Sequence, residues 1–281
     1  MQAPTTPELR RGVLAVSVLH DVDLEPNSRG VTLTGSPDVW ISWAECRRAL
    51  AGHDPESGTG RRRLADWLLA RRWCADVPAD VLELSLRPVG LPVDHVLHPG
   101  LDWVRERVLG EALDLGFGAV GIDPDDPDRV VLVPLTALDR AGVDPEVAWT
   151  GARRLLEDLG ALAAERVARD PKGQLRPYGD CDALTLLGAR TLRTSIAAAA
   201  GGMGAAVVPM RRRGWTRLAL IDPAFGPAAA AATQDQDRGF TRPLLMTADE
   251  LTLAAEGGRP QLIVLRDPAA DAPGAKDVLY R

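Results

Sequence analysis

Short apolar runs containing β-branched residues alternate along the chain with capped, helix-period segments. That alternation restricts the fold more than any composition figure. Such a chain must stack helices on short strands, so the expected class is mixed α/β or α+β: a central, mostly short-stranded sheet with several packed helices. The helix starts carry the clearest signals. Ser42-Trp43-Ala44-Glu45 matches a capping box and predicts a helix to about Leu50. Asp144-Pro145 pairs an N-cap with proline at the first helical position and opens a helix to about Arg169, with Gly160 as its weak point. Asp182 caps a helix over 183–200 that Gly201-Gly202 ends, and Thr247 to Glu250 reads as a second capping box opening a helix to about Glu256. Leu64, Trp67, Leu68 and Trp73 predict a helix over 61–74. The stripe Leu101, Val104, Val108, Leu109 and Ala112 predicts another over 101–115, and a short one falls near 135–141.

Strands are expected at 13–19, 31–34, 205–208, 244–246 and 261–265. The alternating run 81–88 adds one more. The two short runs 119–122 and 130–133, joined by Asp123-Pro124-Asp125-Asp126-Pro127-Asp128, read as a hairpin around turn chemistry. The first ~12 residues read as a frayed end. No period of 20–50 residues repeats, which excludes a solenoid.

At 281 residues the chain is expected to form a single domain over 1–281, with 141–150 as the alternative boundary. No apolar run approaches the ~18 residues of a membrane span. The N-terminus lacks the basic-then-apolar order of a signal peptide. Cys46, Cys74 and Cys181 are spaced by 28 and 107 residues, which fits neither a zinc finger nor a redox CxxC. This sparse, odd count predicts free thiols and a soluble cytoplasmic protein.

Net charge is −6, which offers no general attraction to nucleic acid or acidic membranes. The distribution is uneven: residues 1–140 hold 22 acids and 15 bases, and residues 141–281 hold 17 acids and 18 bases. The 39 residues between Asp182 and Asp222 contain no carboxylate but carry Arg190, Arg193, Arg211, Arg212, Arg213 and Arg217. Arginine as such is weak evidence, because the chain has only Lys172 and Lys276 beside it and an Ala-, Gly- and Pro-rich, bacterial-like GC-rich composition.

The remaining motifs exclude more than they assign. Gly201-Gly202-Met203-Gly204 follows a helix and precedes a strand, the reverse of a dinucleotide loop. The aspartate run holds Asp128 and Pro134 where an EF-hand needs Gly and Glu. His20, His53, His95 and His98 lack three-ligand metal spacing, with His95 and His98 lying in a Pro-bounded loop. Cys181 sits between Asp180 and Asp182, which oppose thiolate formation. No GxSxG occurs.

What survives is the segment around the arginines. Guanidinium forks bind phosphate or carboxylate, and Arg211 to Arg213 fall just past an expected strand end. The leading expectation is a binding or interaction protein for a small anionic ligand or an acidic protein partner, with Arg190, Arg193, Arg211, Arg212 and Arg213 lining the anion site. Whether it is an enzyme is left open, and no cofactor is implied. The alternative is a metal-dependent phosphoester hydrolase holding its metal through Asp180, Asp182 and Asp222. The third is a structural partner protein using Trp-bearing helices.

Overall fold

The computed structural model describes residues 6–103, 105–108 and 112–255. It is a mixed α/β structure, 45% helical and 21% strand, whose strands form three small antiparallel sheets.

The chain opens with α1 (Pro7–His20). Thr6 caps it, its hydroxyl accepting from the Leu9 amide at 3.2 Å, and Pro7 takes the first turn. The strand expected at 13–19 is therefore a helix. Leu9, Val13 and Val16 lie one turn apart and are buried, while Val18 and Leu19 are 84% and 69% exposed, an outcome no buried strand allows. Next come β1 (Leu24–Pro26), β2 (Gly30–Leu33) and β3 (Val39–Ser42), an antiparallel meander. α2 (Trp43–Leu50) starts directly from β3 with the expected capping box: Glu45 N–H donates to Ser42 Oγ and Ser42 N–H donates to Glu45 Oε2. α3 (Gly58–Asp76) then lays Leu64 and Leu68 on Val31, Leu33, Ile41 and Trp43, forming one apolar cluster.

Past α3 the reading and the structure diverge twice. The run 81–88 is α4 (Ala79–Ser85) followed by β4 (Leu86–Pro92). Its alternation was accidental: Leu82 is fully buried and Leu84 is 77% exposed. The helix expected over 101–115 is instead β5 (Arg105–Val108) paired antiparallel with β6 (Leu113–Ala119), residues 104 and 109–111 lying outside the described set. The reason is Gly116. A Cβ there would lie 2.1 Å from the Trp103 ring, so a strand glycine admits the indole, whose Nε1 donates to the Phe117 carbonyl at 2.8 Å. The hairpin is present: β7 (Val131–Leu132) pairs with β6 across the aspartate-proline loop.

α5 (Leu135–Ala141) and α6 (Pro145–Arg169) fall where expected, with Asp144 capping the second. Gly160 of α6 proves a point of close approach, since a Cβ there would sit 2.3 Å from that of Ala189. After β8 (Gln174–Leu175), the helix expected over 183–200 is broken at 187–189 into α7 (Ala183–Leu186), capped by Asp182, and α8 (Arg190–Ala199). No side chain of its own caps α8. The Glu157 carboxylate on α6 does so, accepting from the Arg190 and Thr191 amides at 2.7 and 2.9 Å. Burial alone would raise the Glu157 pKa, but these bonds and the Thr191 hydroxyl hold it below the usual carboxylate range.

The last sheet runs β12-β11-β9-β10-β8, built from β9 (Gly204–Met210), β10 (Arg213–Trp215), β11 (Leu244–Met246) and β12 (Leu251–Leu253), with α9 (Phe225–Ala232) packed on β9. The helix expected from Thr247 to Glu256 is the β11–β12 hairpin. Thr247 Oγ1 does accept from the Glu250 amide at 3.0 Å, as in a capping box, but Leu251 is fully buried and pairs with Met246. Tertiary burial overrides the local cap. The strand expected at 261–265 lies outside the described residues.

A second, larger apolar cluster runs from Ala70 to Leu251 and takes in residues on both sides of 141–150. α3 belongs to both clusters, with Trp73 packed against each.

Two outcomes are expected. Glu157→Ala should lower stability by about 1–2 kcal/mol, the scale of a lost helix cap. An unchanged denaturation midpoint would show that α8 needs no cap from α6. Gly116→Ala should cost about 1–3 kcal/mol through overpacking against Trp103. A neutral result in chemical denaturation would contradict the tight approach.

Candidate functional site

α3, the loop 93–99, the β6–β7 hairpin and the loops at 177–182, 211–212 and 236–237 enclose a cleft of about 930 Å³. Its geometry starts from a buried arginine. Arg63 on α3 donates from Nε to the Ala49 carbonyl at 2.9 Å and from its other nitrogens to the carbonyls of Val96 and, at 2.7 Å, His98. The 93–99 loop is thus fastened from beneath. Its own bonds add to this, His95 N–H donating to the Pro92 carbonyl and His98 N–H to the His95 carbonyl.

Within the fixed loop both imidazoles are oriented. His98 Nδ1 accepts from the Gly100 amide at 3.0 Å, which leaves the proton on Nε2, 3.2 Å from Asp114 Oδ2. Asp114 is fully buried and is also paired with Arg105. His95 Nδ1 accepts from the Leu97 amide at 3.2 Å, so here too Nε2 carries the proton. That Nε2–H is buried, lines the cleft and has no hydrogen-bond partner. His95 itself is 8% exposed. Burial, then the nearby charge of Arg211 and the neighbouring His98, push its pKa down to about 4, despite the opposing influence of Asp235. At neutral pH it is an uncharged donor.

Arg211 stands across from it, just past the end of β9. Its Nε and Nη2 donate to Asp182 Oδ2 at 3.0 and 2.8 Å, while Asp182 Oδ1 accepts from the Thr185 amide to cap α7. Arg212 is exposed, lines the cleft and has no ion pair among the described residues. Asp180 also lines it and is paired with Arg87 at 2.8 Å. At the opposite side lie Asp66 and Arg129, paired at 2.6 Å, with Arg129 stacked on Trp73. Burial raises the Asp66 carboxyl pKa in spite of Arg129.

Four residues singled out by the sequence therefore share this cleft: Asp180, Asp182, Arg211 and Arg212. The others sit elsewhere. Arg190 pairs with Asp249 on the surface. Arg193 is buried and donates to the carbonyls of Leu187, Gly188 and Ala248, a purely structural use; burial brings its pKa down to about 10. Arg213 is exposed on β10, away from the cleft lining. Asp222 accepts from the Ala224 amide in its own turn, apart from Asp180 and Asp182. Among the described residues no group of three or more His, Cys, Asp or Glu is placed to hold a metal ion. Sequence reasoning missed His95 as a hydrogen-bond donor and Arg63 as its support. The available signal was Arg63 standing beside Leu64 and Trp67 on the buried side of a helix.

The two histidines make stability depend on pH. Both have folded pKa values near 4, against ~6.5 in the unfolded chain. Between those values the unfolded chain binds the extra protons, so stability is lost as pH falls. The thermal midpoint should drop steadily from pH 6.5 to pH 5, and His95→Asn should flatten part of that slope. A midpoint that is level over this range in the parent would refute the buried, neutral imidazoles.

No protein-family model matches this chain, and neither a curated protein nor a solved structure is significantly similar to it.

Proposed function

We propose that this is a soluble cytoplasmic binding protein whose cleft takes a small anionic ligand at His95, Arg211 and Arg212. The observation that carries the reading is the His95 Nε2–H. A buried donor without an acceptor costs on the order of 1–3 kcal/mol, and a ligand oxygen placed there recovers that penalty. Arg211 and Arg212 supply the positive side of the same cleft, and Asp182 keeps the Arg211 guanidinium oriented before any ligand arrives. Binding is favoured over hydrolysis by the engagements of the aspartates. Asp180 is held by Arg87, Asp182 is divided between a helix cap and Arg211, and Asp222 caps its own turn. The cytoplasmic assignment is supported by three free, buried cysteines. Among the described residues no helix is long and apolar enough to cross a membrane.

Thermal denaturation with millimolar sodium acetate or sodium phosphate, at ionic strength fixed by chloride, tests the site. A ligand at a hundred times its Kd raises native stability by about 2.7 kcal/mol. The parent should respond to at least one of the two anions, and both Arg212→Ala and His95→Phe should lose the response. An equal shift in parent and variants, or no shift in the parent, would remove the cleft as an anion site.

A further inference from the structure

The fixed charges around His95 and the walls beyond it specify the ligand more closely. Arg211 is already neutralised by Asp182, and Asp180 by Arg87. Arg212 is offset by Asp237, an exposed carboxylate on the cleft that likewise has no ion pair among the described residues. The imidazole contributes a donor without charge. This end of the cleft therefore offers one cation beside several carboxylates. A phosphate dianion brought here meets too little positive charge to offset its repulsion by Asp180, Asp182 and Asp237. A carboxylate monoanion needs less: the Arg212 fork for one bidentate contact and the His95 Nε2–H for a further bond.

The rest of the same cleft is apolar. Trp73, Leu97, Val130 and Leu132 line it and are each only half-buried, so their remaining surface faces the opening. This wall begins two residues from the imidazole, because the Leu97 amide is the group that orients His95. A volume of about 930 Å³ far exceeds what a bare inorganic ion occupies and lies within the range of pockets for drug-sized molecules.

We propose that the cleft selects an amphipathic monocarboxylate, a single carboxylate on an alkyl or aromatic body, in preference to phosphate. The body rests on Leu97, Trp73, Val130 and Leu132, and the carboxylate lies between Arg212 and His95. The inference rests on the anion reading above and adds the ligand class to it.

Calorimetric titration of the full chain at pH 7 and constant ionic strength tests it, with acetate, butyrate, hexanoate, octanoate and phenylacetate compared with inorganic phosphate and 1-octanol. Affinity should rise along the alkyl series by up to about fourfold per methylene buried. Phosphate should bind at least tenfold more weakly than hexanoate, and octanol at least tenfold more weakly than octanoate. Arg212→Gln, in an exposed loop, should abolish octanoate binding while leaving the melting temperature in place. Leu97→Ser should flatten the chain-length dependence and retain the response to short acids. Phosphate binding without carboxylate binding overturns the proposed selectivity while the anion site stands. Octanol binding as tightly as octanoate overturns the role of the carboxylate. Heats that are absent for every anion overturn both the selectivity and the anion site.

Discussion

Everything about the cleft depends on one buried guanidinium. Arg63 is bonded to carbonyl oxygens of Ala49, Val96 and His98, and no carboxylate is among its hydrogen-bond partners. Burial lowers its pKa, with Asp66 one helical turn on acting against that shift. Hydrogen bonds from a charged donor contribute about 1.5–3 kcal/mol each, enough here to offset removal from water. What they fix is position. The Ala49 carbonyl lies at the end of α2 and the other two lie in the loop that carries His95. One side chain thus joins the N-terminal cluster to the site.

α3 repeats this device along its length. Arg71 is buried beside Trp67 and pairs with Glu45 and Asp102, while the Trp67 indole donates to the same Asp102. Arg72 donates to the Pro37 carbonyl and pairs with Asp76. The helix presents Leu64 and Leu68 to one apolar cluster and Ala70 and Cys74 to the other. Its arginines fasten the loops and neighbouring elements around this seam. Arginine suits such places because its fork satisfies several acceptors at once and stays charged when buried.

Helix starts with a polar cap were legible in the sequence because their chemistry is local. Ser42, Asp144 and Asp182 each bond the amides expected of them. Thr247 does so too, yet a hairpin follows, because Leu251 and Leu253 find partners on β11 that no local pattern reveals. The same holds for 101–115, where the decisive contact is an indole seated on a strand glycine. The helix at 7–20 was hidden by reading only the apolar half of its turn pattern, without Thr6, Pro7 and Leu9. In the site, the carboxylate gap pointed to Arg211 and Arg212, and two of the aspartates beside them were visible. His95 was not, because what matters is an unpaired nitrogen, and pairing is a property of the folded loop.

The fate of the six arginines explains why charge counting overstated the site. A carboxylate-free stretch need not produce a positive surface when its partners come from outside it. Asp249 meets Arg190, Asp182 meets Arg211, and backbone carbonyls satisfy Arg193 and Arg217. Local composition was one-signed and the folded environment is nearly balanced. In such an environment a neutral donor discriminates by geometry, because its strength depends on where the acceptor sits and little on the total charge brought in. A protonated imidazole would have added attraction for any anion. Burial beside Arg211 prevents that protonation and leaves the shape of the cleft, with its half-buried apolar wall, to separate one anion from another.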